Sequence, residues 1–227
     1  MEQHRKQVRR DPASGGGDVI RYATLLSGRS AGAGTTYATW DSAAKGTYIT
    51  LGAGNLVAAR TSASGSVYQC ARATRSLSGK IYWEVTSDQP TGPHDATMAL
   101  GISTVAATPL NDATQYLGYN AAAIGAWDWT GIYCADALVT NSPSAASPWT
   151  LRFAFDASTN KIWMGDTEHG WWSGDPALGT SPIITMPAGT YYPTICFGAF
   201  VNSTRRANFG ADPWTGSCPS GFAGLAA

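Results

Sequence analysis

One short stretch carries the residue types that acid–base chemistry needs. Asp166-Thr167-Glu168-His169 sets two carboxylates beside an imidazole, a set able to relay protons or hold a metal. On an extended strand Asp166 and Glu168 share a face, whereas a glycosidase holds its two carboxylates across a cleft. A solvated, inert hairpin tip accounts for the same residues and is the preferred reading. His4 and His94 are scattered, and His94 follows the turn signal Gly92-Pro93, so a histidine-based triad has little support. Neither a GxSxG nucleophile elbow nor a phosphate-cradling GxxxxGK(S/T) loop is present. Cys70, Cys134, Cys196 and Cys218 make no CxxC pair, so their spacing shows no zinc site. No metal is expected. Reduced thiols are the better reading, with Cys196 placed in the core by the apolar run Tyr192–Val201.

Aromatic rings are the second resource. The chain has 9 Trp, 10 Tyr and 6 Phe, and such rings serve cores and contact surfaces alike. Ala121-Ala122-Ala123-Ile124-Gly125-Ala126-Trp127-Asp128-Trp129 reads as loop-like, with its two Trp two residues apart. On a loop both rings reach the surface as contact anchors. On a strand they share one face and pack in the core. Trp171-Trp172 is a second pair; adjacent strand residues point opposite ways, so at most one is core. Trp127, Asp128, Trp129, Trp171 and Trp172 are the candidate binding residues.

The elements that must position these groups read as β. With 227 residues the chain suits one sandwich domain with short appendages, long enough to bury a full core. Residues 1–18 read as a basic, Gly-rich arm, with Arg5, Lys6, Arg9 and Arg10 ahead of Ser14-Gly15-Gly16-Gly17. Residues 19–36 are a linker or a first added strand, and the folded domain spans 37–227. Alternation is clear in Lys80–Thr86, Thr97–Ile102 and Thr150–Asp156, and the last leads through a turn into Lys161–Met164 as a hairpin. Further strands are expected at Thr47–Leu51, Asn55–Arg60, Val67–Thr74, Gln115–Asn120, Gly131–Cys134, Tyr192–Val201 and Thr204–Phe209. No helical spacing lasts three turns and no repeat is visible, which argues for an antiparallel sandwich or barrel.

Composition narrows the partners. Charged residues are 13% of the chain and the formal net charge is zero, so no global basic field draws in nucleic acid. A surface so poor in charge suits packing against neighbours. No charge occurs between Asp175 and Arg205, but Pro176, Pro182, Pro187 and Pro193 rule against a spanning helix there, and no membrane insertion is expected. No apolar stretch follows the basic start, so no signal peptide is read.

Several stretches, in order, resemble SPRY domains. Ser78-Gly79-Lys80-Ile81-Tyr82-Trp83-Glu84-Val85 resembles their "GKxYxEV" strand, Ala99-Leu100-Gly101-Ile102 an apolar-Gly-apolar strand, and Tyr116-Leu117-Gly118-Tyr119 their "lGy" strand. Leu151–Asp156 with Lys161-Ile162-Trp163 is similar to their central hairpin. Tyr191-Tyr192-Pro193 looks like their "lyP" approach, Asn208-Phe209-Gly210 their closing "NFG", and Pro219-Ser220-Gly221-Phe222 the "PxGF" beyond it. The likeness runs from about Tyr37 to Leu225. Trp163…Gly170-Trp171 with Gly174-Asp175-Pro176-Ala177…Gly179-Thr180, and Ala38-Thr39-Trp40-Asp41 with Gly54-Asn55-Leu56, resemble the bacteriophage branch. Thr167-Glu168-His169-Gly170 departs from the family, whose members usually carry Asn-Gly there.

The resemblance implies an all-β, bent antiparallel β-sandwich (a SPRY, concanavalin-like jelly roll), to which the sequence adds an extended N-terminal arm. Ligands, usually proteins or peptides, sit on loops at one end, with no catalysis and no cofactor. It further implies a structural or binding module of a phage particle, capsid- or tail-associated and located in the virion. Other virion subunits, met through the arm, are the expected partners, with a host surface protein or glycan as a further one. The alternative is a lectin-like carbohydrate-binding module. A sandwich-fold hydrolase ranks third, because the Glu-x-Asp-x-x-Glu strand of lectin-like glycosidases is absent.

Overall fold

A computed structural model describes residues 35–62, 68–87, 98–108, 110–127, 131–143, 149–198 and 204–227. The arm 1–18 and residues 19–34 lie outside the described residues. Among the described residues sixteen strands, numbered in chain order, form two antiparallel sheets. The first sheet runs β1 (Trp40–Lys45), β4 (Tyr68–Ala73), β15 (Tyr192–Phe197), β6 (Met98–Ser103), β8 (Ala123–Trp127), β9 (Gly131–Cys134) and β10 (Ala137–Thr140), with short β7 (Asn111–Asp112) against β4. The second runs β13 (Gly170–Trp171), β12 (Lys161–Asp166), β11 (Thr150–Asp156), β5 (Lys80–Ser87), β16 (Thr204–Asn208), β3 (Val57–Arg60) and β2 (Ile49–Gly52), with β14 (Ile184–Thr185) against β12. Among the described residues no helix is long and apolar enough to cross a membrane.

Alternation decides which faces meet. Ile81, Trp83 and Val85 from β5, Leu151, Phe153 and Phe155 from β11, and Met98, Leu100 and Ile102 from β6 all enter the central core. The register sets Trp83 opposite Phe153, and their rings stack 5.0 Å apart at an interplanar angle of 9°. Burying side chains of this size contributes about 1.5–3 kcal/mol each, so the inter-sheet layer dominates stability.

Both outer faces are also covered near their middles. Ala107, Tyr116, Leu117 and Ala122 cover the first sheet and enclose Cys70, Ala99, Trp127 and Cys196. The C-terminal segment lies across the second sheet and encloses Tyr82, Ala154 and Trp163 beneath Phe222 and Trp214. Alternation in β4, β5 and β8 therefore changes which layer a residue joins, and both layers are buried.

Three expectations are corrected. Gln115–Asn120 is not a strand but a chain of turns, with Gly118 at φ 101° and Leu117 inserted beneath. A Cβ on Gly118 would lie 2.5 Å from the Tyr133 carbonyl oxygen, so close approach requires glycine there. Ala121–Trp129, read as loop-like, contains β8 through Trp127; the small residues hide the strand because they fill a sheet covered on both faces. The preference for reduced thiols fails at Cys70 and Cys196, which face each other across β4 and β15 and form a disulfide. Separated by 126 residues, they are brought together by register alone. Cys134 and Cys218 are free thiols, and burial pushes both above the ordinary thiol range.

The β9–β10 hairpin turns on two residues, Ala135 and Asp136, at φ 55° and 57°. A turn with both central residues left-handed favours Asn-Gly, and alanine there costs about 1–2 kcal/mol. Asp136 has a compensating role, since it accepts a hydrogen bond from the Tyr116 hydroxyl. Ala135 is exposed and has none. Ala135→Asn is therefore expected to raise stability by about 0.5–1 kcal/mol, read as a higher melting temperature. An unchanged melting temperature would show that the turn carries no strain.

Candidate functional site

Register fixes the two poles of the sandwich. Phe197 pairs with Met98, Ala99 with Trp127, and Trp127 with Gly131 in the first sheet. In the second, Ser87 pairs with Arg205, Thr204 with Ala59, and Thr150 with Thr86. Arg60 at the end of β3 reaches the Phe197 carbonyl at 3.4 Å and joins these strand ends into one pole. The hairpin tip 167–169 belongs here too, because Thr167 donates to the Thr150 carbonyl at 3.1 Å.

At that tip the Asp–Glu–His set resolves into a structural knot. Asp166 is fully buried. Its Oδ1 accepts the backbone N–H groups of Glu168 at 2.8 Å and His169 at 2.5 Å, and Oδ2 accepts the Trp172 indole N–H at 2.7 Å. His169 Nδ1 lies 3.1 Å from Oδ2. Burial alone would raise this carboxyl. The His169 N–H, the Trp172 indole, the His169 ring and the Glu168 N–H outweigh it and hold the carboxyl below the usual carboxylate range. The carboxylate closes its own turn and turns no free lone pair toward a substrate. Among the described residues no three His, Cys, Asp or Glu side chains gather as metal ligands.

A depressed folded-state pKa gives this site a definite acid response. The unfolded carboxyl titrates near about 3.9, so the stabilisation is complete above that pH and is lost as pH falls toward the lower folded value. Asp166→Asn should make the melting temperature less sensitive to pH below about 4. Parallel pH profiles for the two proteins would refute a turn-closing role for the charge.

The binding residues expected from sequence separate. Trp127 is 8% exposed and sits in the layer under Tyr116 and Leu117, its indole donating to the Leu117 carbonyl at 3.2 Å. The reading as an exposed anchor is thus corrected for Trp127: its ring meets Tyr116 at 5.0 Å and Tyr68 at 6.0 Å. Asp128, Trp129, Arg5, Lys6, Arg9 and Arg10 lie outside the described residues. Trp172 turns inward against the central core while its indole holds Asp166.

Trp171 turns outward. It is half-buried, with the Arg152 guanidinium 4.6 Å from its ring centroid and Tyr82 edge-on at 6.3 Å. Register builds the platform, since Trp171 pairs with Gly165, Gly165 with Arg152, and Arg152 with Glu84 in one row across the outer face. A Cβ on Gly165 would lie 2.2 Å from the Gly170 carbonyl oxygen; with no side chain there, Arg152 reaches across to the ring. Glu84 faces elsewhere in bonding: it accepts from the Tyr82 hydroxyl at 2.6 Å and from the backbone of Thr215 and Gly216 at 2.8 and 2.7 Å. Trp214, 4.8 Å from Tyr82, extends the aromatic surface. Arg152 and Trp214 escaped the sequence reading; the two-residue period places Arg152 on the same face as Tyr82 only once β5 and β11 are known to pair.

The sequence matches no family model and no curated protein. Solved structures share the fold. The SPRY domain of human HERC1 aligns with a TM-score of 0.56 at 13% identity, over 74% of this chain and 96% of that one. The TRIM65 PSpry domain gives 0.55 at 14%, over 76% and 92%. Stonustoxin gives 0.54 at 15%, over 76% of this chain but 27% of its own. The fold is thus the SPRY-type jelly-roll sandwich, as the motif order implied.

Proposed function

We propose that this chain is a non-catalytic protein-binding module of a bacteriophage particle. It meets a protein partner on the outer face around Trp171 and neighbouring virion subunits through the basic arm 1–18. The observation that carries the non-catalytic reading is the bonding of Asp166, whose acceptors are taken up within its own turn. A protein partner follows from the use that SPRY domains make of this fold. A half-exposed Trp on a flat, two-glycine base suits a contact anchor better than a solvated surface. The phage placement rests on the likeness of the Trp163–Thr180 run and the Ala38–Asp41 leader to phage members.

The test is mass spectrometry of purified virions made with the intact chain, with residues 1–18 deleted, and with Trp171→Ala. The intact chain is expected in the particle. The deletion should reduce incorporation while the isolated domain keeps its melting temperature. Virions lacking the intact chain would end the phage reading. Equal incorporation of the deletion would end the arm. A glycan array that retains the chain through Trp171 would favour the lectin-like alternative.

A further inference from the structure

At the pole opposite Trp171 lies a cleft of about 490 Å³ that the contact surface does not use. One wall is the segment after β4, carrying Thr74, Arg75, Ser76 and Ser78. The other is the C-terminal stretch Gly224–Ala227, with Ile81 and Leu225 as an apolar floor and Tyr192 at the side. Backbone bonds hold both walls. Thr74 donates to the Thr39 carbonyl at 2.8 Å and Leu77 to the Tyr191 carbonyl at 2.8 Å. Ala223 donates to Lys80 at 3.1 Å and Leu225 to Phe209 at 2.7 Å. The Thr74 hydroxyl also accepts the Thr39 N–H at 3.2 Å. The frame is set mostly by the main chain, and the Arg75, Ser76, Ser78 and Tyr192 side chains are not needed to build it.

Those side chains are unspent. Among the described residues Arg75 makes no ion pair, and the Ser76, Ser78 and Tyr192 side chains make no hydrogen bond with one another or with the frame. Burial holds the nearby Arg72 guanidinium below its ordinary range, with Tyr192 and Asp41 acting the other way. A cation and several hydroxyls thus line a hollow with an apolar base. Guanidinium groups take oxyanions through two parallel N–H bonds, hydroxyls both give and take hydrogen bonds, and a preformed hollow with few polar groups suits a small ligand.

We propose that this cleft binds a small sugar bearing an oxyanion. Arg75 takes the phosphate or carboxylate, Ser76, Ser78 and Tyr192 take the sugar hydroxyls, and Ile81 and Leu225 lie under the ring. This site is separate from the Trp171 surface and stands or falls independently of it.

The experiment is a titration of the full chain at physiological salt, followed by backbone amide NMR, with four probes: glucose 6-phosphate, glucuronate, inorganic phosphate and glucose. Glucose 6-phosphate and glucuronate are expected to shift the amides of Thr74–Ser78 and Gly224–Ala227 in a saturable way. Inorganic phosphate and glucose should bind at least about tenfold more weakly. Arg75→Gln should weaken the sugar anions about tenfold, the loss expected for one charge-assisted pair. The paired variant Ser76→Ala with Ser78→Ala should weaken them while sparing inorganic phosphate. An unchanged melting temperature checks that each variant folds. Absence of shifts at these amides overturns the proposal. So does binding that survives Arg75→Gln, or inorganic phosphate binding as tightly as the sugar phosphate. Shifts confined to the basic arm would mark charge attraction alone and overturn it equally.

Discussion

Replacing Glu84 by Leu is expected to lower stability by about 3–5 kcal/mol, because a buried acceptor with three donors disappears at once. Glu84 is 1% exposed and holds the Tyr82 hydroxyl and the Thr215 and Gly216 N–H groups. Each stranded donor costs about 1–3 kcal/mol, and the leucine recovers only part of that by transfer. Glu84→Gln keeps the shape but aims an amide N–H₂ at a donor, so an intermediate loss of about 1–2 kcal/mol is expected. The carboxylate is also what ties residues 213–216 to the second sheet. Limited proteolysis should therefore cut near Pro213–Ser217 in the Leu variant before the sandwich unfolds. Equal denaturation midpoints for the Leu variant and the parent chain would refute this.

Trp127→Ala is expected to cost about 3–5 kcal/mol, and Trp171→Ala about 1–2 kcal/mol. The first removes a ring packed against Tyr116 and Tyr68 and strands the Leu117 carbonyl. The second removes an outer ring that holds Arg152 and touches Tyr82 at its edge. Partner capture should reverse the order, with Trp171→Ala losing more than its small stability change explains. Thermal melts of both variants decide the first half. A Trp171 variant that melts far below the Trp127 variant would place Trp171 in the supporting core instead.

The sandwich was legible where one face of a strand is apolar and the other polar enough to show alternation. Leu151, Phe153 and Phe155 against Arg152 and Asp156 gave β11 to the residue, and Met98, Leu100 and Ile102 gave β6 nearly so. Legibility failed where a sheet is covered on both sides. Ala123-Ile124-Gly125-Ala126-Trp127 offers no polar face, so its small residues read as a loop although they form a central strand. The opposite error occurred at Tyr116-Leu117-Gly118-Tyr119, whose alternation arises because Leu117 plugs a layer and the tyrosines border it. At the site, chemistry was readable as residue types but not as bonding. Asp166 and His169 look reactive in a line of sequence, and only the fold shows Trp172 and two N–H groups taking up the carboxylate. Arg152 and Cys70 gave no local signal, since the partners that define them, Trp171 and Cys196, arrive from other strands.

The first and last described segments close on each other. Ala38 donates to the Leu225 carbonyl at 2.8 Å, Ala227 to the Thr36 carbonyl at 2.8 Å, and Tyr37 bridges Ala226. The sandwich is in effect a closed circuit whose seam is a short antiparallel contact. A seam of this kind suits grafting: the unit can be spliced into a surface loop of another polypeptide through two adjacent joints, without stretching either strand. It equally suits circular permutation, in which a short linker seals the seam and new ends open elsewhere in the circuit.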